Sequence, residues 1–281
     1  MQPVIRVKSV KGGVVLKIIS VANQKGGVGK TTVATNFPVF LAQQHKRKCL
    51  LVDLDPQANS TSYLLGSVPE KSFETLLLDD NADINEFIIA TEWGIDLVPS
   101  NISAANIELD LLGKYNRDRR LDTRLSDLKN WYDFVFIDTP PAVVGLLTVN
   151  ALVASDEIFI ICNTEKFALD GLVNLMRTIG QIRKEYRKDG LYFRCILNQF
   201  DRRRIIDRDV RSAVEELLGQ LLFDSIIHEN TDISKSFAAS KPVYFYNTTC
   251  SGYFDFSKLA KEVIDLYARE KGKTKKDIAT S

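Results

Sequence analysis

A glycine-rich segment between a short apolar run and a helical pattern is the feature that most constrains the fold. It reads QKGGVGKTT at residues 24–32. Glycines let the backbone turn so that several N–H groups point inward, and the N-terminus of the following helix adds partial positive charge. Such an arrangement binds polyanions, so the segment predicts a phosphate-binding loop in which Lys30 reaches the phosphates and the Thr31 hydroxyl coordinates Mg²⁺.

The loop departs from the strict G-x-x-x-x-G-K-[ST] pattern because Gln24 stands where the first glycine belongs. Beside it, Lys25 adds a second cation close to the expected phosphates. A lysine at this position is either solvated or directed at an anion. Its place in a phosphate loop favours the anion.

Short apolar runs rich in Val and Ile alternate with helical patterns along the chain. Runs unbroken by polar residues are expected for parallel strands that are covered on both faces. The predicted strands are 17–21, 49–53, 95–98, 134–138, 157–162, 192–197 and 221–226. The predicted helices include 30–44, 168–186, 207–218 and a last apolar helix through 256–267. This alternation predicts an α/β fold with a mostly parallel, twisted sheet and helices on both faces.

The chain contains no Pro/Gly/Ser-rich linker and no repeat that would divide it. We expect one phosphate-loop domain over residues 16–270, preceded by an extension at 1–15 and followed by a basic, flexible tail at 271–281. The extension holds a second KGGV at residues 11–14, which lacks the following Gly-Lys-Thr. No apolar run approaches the roughly 18–20 residues of a membrane span, and the N-terminus does not resemble a secretory signal.

Composition excludes several classes of protein. Hydrophobic residues make up 45% of the 281, which is enough for a sizeable core and rules out wholesale disorder. The formal net charge is +1, so the overall electrostatic field of the protein indicates neither an anionic nor a cationic partner. The four cysteines are far apart and are expected to be buried free thiols, and the two histidines show no metal-ligand spacing, so a structural zinc site is not expected.

The phosphate loop, together with three later motifs, resembles the ParA/MinD family of P-loop NTPases, whose deviant Walker A motif is KGGVGKTT. LLVDLDPQAN at residues 50–59 resembles the Walker A′ segment of that family, and FIDTPP at 136–141 resembles its Walker B segment. EKFALDGL at 165–172 is similar to a further family motif, E-x-x-A-L-x-G-L. The similarity runs from about residue 18 to about residue 264. Within the family, NQKGGVGKT and DPQ favour ParA-type partition ATPases over MinD.

The resemblance implies roles for individual residues. Lys25 matches the signature lysine, which crosses an ATP-sandwiched dimer to touch the nucleotide of the partner. Asp55 matches the carboxylate that positions or activates the attacking water, and Asp138 matches the Walker B carboxylate near Mg²⁺. Asp53 either supports the metal shell or caps the next turn. The implied catalytic residues are Lys25, Lys30 and Asp55, and the implied metal residues are Thr31, Asp53 and Asp138.

Nucleotide contacts are also implied by the resemblance. The expected nucleotide-binding residues are Lys25, Gly26, Gly27, Val28, Gly29, Lys30, Thr31, Thr32, Asn198 and Asn230. Asn198 and Asn230 are the adenine candidates, and each could instead be a turn-forming asparagine. Relatives often have Pro-Arg-Asn where this sequence has His228, Glu229 and Asn230. The sequence therefore departs from its relatives at the two residues before the candidate Asn230.

Basic residues cluster in one part of the chain, since residues 177–211 hold eleven Arg and Lys against five Asp and Glu. Such a cluster either neutralises DNA phosphates without reading sequence or forms solvated helix faces. ParA proteins bind DNA nonspecifically through this half of the chain, which favours the first interpretation, although Asp232 stands where many relatives carry arginine. The expected DNA contacts are Arg202, Arg203, Arg204, Arg208 and Arg211.

The resemblance implies a cytoplasmic, nucleoid-associated ATPase that uses ATP and Mg²⁺, dimerises on ATP, binds double-stranded DNA and positions a plasmid, chromosome or other cargo. Its slow hydrolysis would be accelerated by a ParB-like adaptor. A MinD-like membrane-cycling regulator is the alternative, but residues 272–281 hold a single large apolar residue, Ile278. An iron protein of the nitrogenase type is excluded because no cysteine lies near Asp138. The segment at 140–145 is one residue longer than the P-P-S-x-G of relatives.

Overall fold

In the described part of the chain, seven strands form one sheet. The computed structural model describes residues 16–128, 132–141, 145–165 and 168–279, with side chains up to Glu270. The strands are β1 (Lys17–Ala22), β2 (Cys49–Asp53), β3 (Ile89–Ala90), β4 (Asp96–Val98), β5 (Phe134–Asp138), β6 (Glu157–Cys162) and β7 (Tyr192–Leu197). Their spatial order is β3-β4-β2-β5-β1-β6-β7.

All strand pairs are parallel except β3 with β4 at one edge. The central pairs β1–β5 and β2–β5 bring the carboxyl ends of three motif-bearing strands to one edge of the sheet. In this register Asp53 is the direct partner of Asp138, and Val21 is the partner of Asp138 on the other side. The phosphate loop and the two aspartate motifs therefore meet in space although they are far apart in sequence.

Helices cover both faces of the sheet. They are α1 (Lys30–His45), α2 (Asn59–Leu65), α3 (Phe73–Leu78), α4 (Ile107–Leu111), α5 (Arg120–Ser126), α6 (Leu146–Ala154), α7 (Ala168–Tyr186), α8 (Ile205–Leu218), α9 (Thr231–Ala238), α10 (Val243–Tyr246) and α11 (Ser251–Ala279). Short 3₁₀ segments occupy Ile84–Glu86, Ile102–Asn106 and Gly219–Leu221. Helices α1 and α11 pack on one face, and α3 to α8 pack on the other.

Side-chain alternation along the strands produces these two apolar layers. In β1, Ile19 and Val21 join the core under α1 and α11, whereas Ile18 and Ala22 point to the opposite face. Every residue of β2, β5 and β6 is buried, as a sheet covered on both sides requires. The predicted α/β fold with a mostly parallel sheet is confirmed, and the cysteines are free and buried as expected.

The predicted strand at 221–226 is wrong. This segment makes only an isolated bridge, Cys195 with Leu222, and the 3₁₀ turn ends at Leu221. The backbone N–H groups of Asp224 and Ser225 donate to the carboxylate of Glu262 on α11, at 2.8 and 2.9 Å. A side chain from a distant helix thus satisfies donors that a strand would have used in the sheet.

The structure describes part of one of the two chain ends that were predicted to lie outside the domain. Helix α11 continues to Ala279, so the backbone of residues 271–279 is helical, and the flexibility of the tail at 271–281 stays a prediction. The expected extension at 1–15, with its second KGGV, lies outside the described residues, as do residues 142–144 of the longer segment after Walker B. The sequence pattern did not predict the short antiparallel strand β3.

A buried polar network attaches α11 to the start of β6. The Tyr267 hydroxyl donates to Glu157 Oε2 at 2.6 Å, and the other carboxylate oxygen of Glu157 accepts from Arg194. Arg194 also donates to Glu270 at 3.0 Å. Glu157 is only 2% exposed, so the hydrogen bonds from Tyr267 and Arg194 offset the cost of burying its carboxylate.

We predict that Tyr267→Phe lowers the free energy of unfolding by about 1.5–3 kcal/mol, because it removes a buried hydrogen bond to a charged group. Urea unfolding followed by circular dichroism measures this change. Tyr192→Phe is the matched control, since residue 192 is 59% exposed on β7. Equal stability of the two variants would contradict the proposed importance of the network.

Candidate nucleotide site

The loop between β1 and α1 has the backbone of a phosphate site. Gly27 and Gly29 have φ of 78° and 89°, in the left-handed region that favours glycine. Gly29 is the N-cap of α1 and supplies no side-chain cap, so the first N–H groups of the helix are left for a ligand. A Cβ added to Gly29 would lie 2.1 Å from Nδ2 of Asn198, which excludes any larger residue there without a shift.

Three amide side chains hold this loop against the ends of β6 and β7. Asn23 accepts from the Lys25 backbone N–H at 2.9 Å and donates to the carbonyl of Ile161. Asn198 Nδ2 donates to the Val28 carbonyl at 2.7 Å, and Gln199 Nε2 donates to the Gly27 carbonyl at 3.1 Å. Sequence reasoning missed Asn23 and Gln199, whose roles depend on strands far apart in the chain.

The loop opens into a cavity of about 910 Å³ at the carboxyl edge of the sheet. This volume is in the range of small-molecule sites. Its lining includes Gly26, Gly27, Gly29, Lys30, Thr31, Thr32, Asp55, Gln57, Asn59, Glu165, Asn198, Ile206, Asn230 and Phe237. The structure therefore brings most of the predicted nucleotide residues together in one place.

Lys30 is buried at the base of this cavity. Its Nζ lies 3.3 Å from the carbonyl oxygen of Lys25. Burial lowers the pKa of Lys30, while the carboxylates of Asp138 and Asp55 act in the opposite direction. The ammonium group is thus placed between the loop and the carboxylates, where a bound phosphate would lie.

Lys25 is arranged differently from Lys30. Its ammonium pairs with Glu165 on the loop after β6, and the side chains of the two residues are 52% and 61% exposed. The ion pair lowers the pKa of Glu165. Lys25 itself does not line the cavity, but its partner Glu165 does, and both side chains are exposed.

Asp53 and Asp138 lie side by side at the ends of β2 and β5, fully buried. Asp53 Oδ1 accepts from the Asp55 N–H at 3.1 Å, and Oδ2 accepts from the N–H and hydroxyl of Thr61 at 2.9 and 2.7 Å. Both oxygens therefore fix the turn and the start of α2. This is the capping role, and the geometry favours it over the predicted support of a metal shell.

The two carboxylate oxygens of Asp138 differ in their contacts. Oδ2 accepts from the Ser60 hydroxyl at 2.7 Å, whereas Oδ1 is buried with no hydrogen bond of good geometry among the described residues. Burial raises the pKa of Asp138 to about 6, although the hydroxyls of Ser60 and the neighbouring Thr31 lower it, and burial together with Asp138 raises that of Asp53 to about 8. An orphaned carboxylate oxygen beside Thr31 fits a hard cation that prefers oxygen, so these residues would hold Mg²⁺.

Asp55 faces the same cavity from the loop after β2. It is 7% exposed, and its Oδ1 accepts from the Gln57 N–H at 3.0 Å. Asn230, at the opposite wall, caps α9 by accepting from the Asp232 N–H at 2.6 Å, and its Nδ2 donates to Ser251. Asn230 and Asn198 thus line the cavity while also serving the local backbone, and their contact with adenine stays a prediction.

Comparison with known proteins agrees with this geometry. A family model described as an AAA domain matches residues 16–191. The sporulation initiation inhibitor protein Soj of Bacillus subtilis is 36% identical over 251 residues, which cover 88% of this chain and 98% of the relative. The chromosome partitioning protein ParA of Caulobacter vibrioides is 35% identical, with coverage of 89% and 94%. The chain belongs to the ParA/Soj family of P-loop ATPases.

A solved structure supports the same assignment of fold. It is described as cobyrinic acid a,c-diamide synthase of Mycobacterium smegmatis with a bound ATP analogue and magnesium. It has a TM-score of 0.75 and 27% identity, and the match covers 90% of this chain and 96% of that one. The expected P-loop NTPase-like fold is thereby confirmed. Within the described residues, no helix has the length and apolar character needed to cross a bilayer.

The predicted arginines divide between two places. Arg202, Arg208 and Arg211 line a groove of about 1190 Å³ between α8 and α11. Arg203 makes two bonds to Asp201, at 3.0 and 2.9 Å, and Arg204 pairs with Glu229 at 2.9 Å. These last two arginines lie outside the groove.

The groove has a mixed electrostatic character that the sequence cluster did not indicate. Three cations from α11 join the arginines, and carboxylates from α8, α11 and the segment between them line the same walls. The cations are Arg202, Arg208, Arg211, Lys258, Lys261 and Arg269, and the carboxylates are Glu215, Asp224, Asp255, Glu262 and Asp265. Two of the pairs are bonded directly, Arg211 with Glu215 and Lys261 with Asp265.

The raised pKa values of Asp53 and Asp138 predict that the free energy of unfolding depends on pH in an unusual way. Their pKa values of about 8 and about 6 exceed the ordinary 3.8, so between pH 4 and 8 the folded state binds more protons than the unfolded state. Their contribution to the free energy of unfolding therefore falls as pH rises through this window. We expect Asp138→Asn to flatten this decline in nucleotide-free protein with EDTA, measured by urea unfolding at pH 5, 6, 7 and 8. An unchanged slope would contradict the assignment.

Proposed function

We propose that this protein is a partition ATPase of the ParA type that binds ATP with Mg²⁺, dimerises on ATP and positions a plasmid, chromosome or other cargo. In this proposal it binds DNA nonspecifically, and a ParB-like adaptor accelerates its slow hydrolysis. The single observation that carries the proposal is the placement of the two loop lysines. Lys30 lies inside the cavity, whereas Lys25 is half exposed, does not line the cavity and pairs with Glu165, a residue of the cavity lining.

The cavity residues supply what phosphoryl transfer needs, which is positioning and charge neutralisation. The loop N–H groups and Lys30 hold the phosphates, and Thr31 and Asp138 would hold Mg²⁺. The bound cation would neutralise the phosphate charge that develops during hydrolysis. Asp55 faces the cavity with one oxygen fixed by the Gln57 N–H, which leaves the other to orient a water molecule toward the terminal phosphate.

The proposed dimer follows from the position of Lys25. Its ammonium is half exposed and balanced by a single exposed carboxylate, Glu165. An exposed ion pair contributes little, about 0–1 kcal/mol, so exchange of Glu165 for a triphosphate of higher charge is favourable. A second copy facing the cavity edge supplies that triphosphate, and each subunit lends a cation to the other.

The names of the relatives support a partition role, since one is called a chromosome partitioning protein. A cytoplasmic, nucleoid-associated location is part of this proposal. The C-terminal helix gives no support to the MinD-like alternative, because only Ile278 is large and apolar among residues 272–281. Binding to anionic lipid vesicles in the presence of ATP would favour that alternative.

We predict that Lys25→Ala abolishes ATP-induced dimerisation and strongly lowers hydrolysis, because the contact with the phosphate of the partner is lost. Sedimentation velocity with a non-hydrolysable ATP analogue measures the dimer, and calorimetry measures nucleotide binding. Lys30→Ala is the comparison that should lose nucleotide binding itself.

Glu165→Gln is the matched control for the same experiment. It frees Lys25 from its surface partner without removing the ammonium, so dimer affinity should stay the same or rise by up to about fivefold. A Lys25→Ala protein that dimerises with unchanged affinity would contradict the intersubunit role of the lysine.

We predict that Arg208→Ala weakens DNA binding and reduces the slope of log affinity against log salt by about 1, as loss of one phosphate contact requires. Arg208 is exposed in the groove, and no carboxylate lies within ion-pair distance of it in the described parts of the chain. Arg203→Ala is the control and should have a smaller effect, because Arg203 is held by two bonds to Asp201 outside the groove. Filter binding at several salt concentrations with ATP gives both values, and equal effects would contradict a DNA path along the groove.

A further inference from the structure

We propose that Ser100 is a positioning residue for hydrolysis, which holds the peptide group of Asp55 so that its carboxylate faces the cavity. The inference rests on the proposed function, because it assigns a supporting residue to the water-orienting carboxylate. Ser100 follows β4 and is separated from Asp55 by 45 positions in the chain. It is fully buried and does not line the cavity, so it acts only through its neighbour.

The hydroxyl of Ser100 donates to the carbonyl oxygen of Asp55 at 2.6 Å. The same carbonyl also accepts from the Ala58 N–H at 2.8 Å, within the turn that follows β2. The bond from Ser100 comes from a different strand connection, so it fixes the turn relative to the sheet. The bond from Ala58 fixes only the shape of the turn.

Ser100 is itself held in place by the other buried aspartate. Its backbone N–H donates to Thr61 Oγ1 at 2.8 Å, and the Thr61 hydroxyl donates to Asp53 Oδ2 at 2.7 Å. The second oxygen of Asp53 accepts from the Asp55 N–H at 3.1 Å. These bonds form a closed ring through Asp53, Asp55, Ser100 and Thr61, which clamps the Asp55 residue at both its N–H and its C=O.

The backbone after Asp55 needs such a clamp. Ala58 has φ of 53°, a left-handed conformation that is strained for alanine. Strained residues persist where the surrounding structure fixes them, and they concentrate at functional sites. Without the Ser100 hydroxyl, the turn at 55–58 can relax, and the Asp55 carboxylate moves with it.

A displacement of this kind affects reaction more than binding. Groups that hold the phosphates, namely the loop N–H groups and Lys30, belong to the loop between β1 and α1 and to the first turn of α1, and they do not hydrogen-bond to Ser100. A misplacement of about 1 Å of a catalytic group costs about a hundredfold in rate. Loss of the Ser100 hydroxyl is therefore expected to lower kcat while leaving nucleotide affinity unchanged.

Ser72 provides a closely matched control. It is 1% exposed, and its hydroxyl is buried with no hydrogen-bond partner among the described residues. It also lies beside the same segment, since the N–H of the next residue, Phe73, donates to the carbonyl of Pro99 at 2.8 Å. Ser72→Ala thus removes a buried hydroxyl at a neighbouring position without breaking a hydrogen bond.

The test compares Ser100→Ala with Ser72→Ala and the parent chain in steady-state ATP hydrolysis with Mg²⁺. We expect Ser100→Ala to lower kcat by about ten- to a hundredfold with KM changed less than twofold, and Ser72→Ala to match the parent. Affinity for a non-hydrolysable ATP analogue, measured by calorimetry, should be equal in all three proteins. Ser100→Thr retains the hydroxyl and should restore most of the lost kcat.

The outcomes separate the inference from the function on which it rests. A parent chain without ATPase activity would overturn the proposed function. Parental hydrolysis with an unchanged kcat in Ser100→Ala would overturn the positioning role alone. An equal loss of analogue affinity and kcat in Ser100→Ala would also overturn it, because that result indicates general damage to the fold. Urea unfolding of each variant shows whether such damage has occurred.

Discussion

The packing of two buried carboxylates at adjacent strand ends is the constraint on which the site depends. Asp53 and Asp138 are register partners in β2 and β5, and neither is exposed. Like charges so close in a protein interior are costly unless hydrogen bonds or cations balance them. Helix α2 begins directly against them, since Ser60 donates to Asp138 and Thr61 donates to Asp53. The buried Lys30 and, when bound, a divalent cation complete the balance, so ligand binding and stability are linked.

The local parts of the site could be predicted from the sequence. The loop at 24–32, the strand–helix order and the two aspartate motifs are contiguous signals, and the structure places them as expected. Ser100, Asn23 and Gln199 could not be found in this way. Their partners lie 45, 138 and 172 positions away, and the contacts exist only because β4 lies beside β2 and because β6 and β7 end beside the loop.

The last helix accounts for two differences between sequence pattern and structure, one in the strands and one in the charge of the groove. Residues 221–226 have the apolar pattern of a strand, but Glu262 on α11 accepts the N–H groups of Asp224 and Ser225. The arginine-rich stretch at 177–211 is strongly basic in sequence, but α11 brings Asp255, Glu262 and Asp265 to the same groove. A linear count of charge does not include acids that a distant helix contributes. The proposed DNA interface is therefore better sought in the unpaired cations than in the whole cluster.

The charge balance of the cavity explains why one lysine is inside and the other outside. A single subunit places one ammonium, Lys30, near two carboxylates, those of Asp55 and Asp138. Lys30 and a divalent cation together offset these carboxylates, whereas a bound triphosphate adds further negative charge. The site of an isolated subunit is thus short of positive charge when nucleotide is bound. Lys25 pairs with Glu165, and in the dimer proposed above the Lys25 of a facing copy would supply the missing cation without being buried in the empty protein. In that proposed arrangement, a cation delivered by the partner would make assembly conditional on the triphosphate, which is the property that a switch requires.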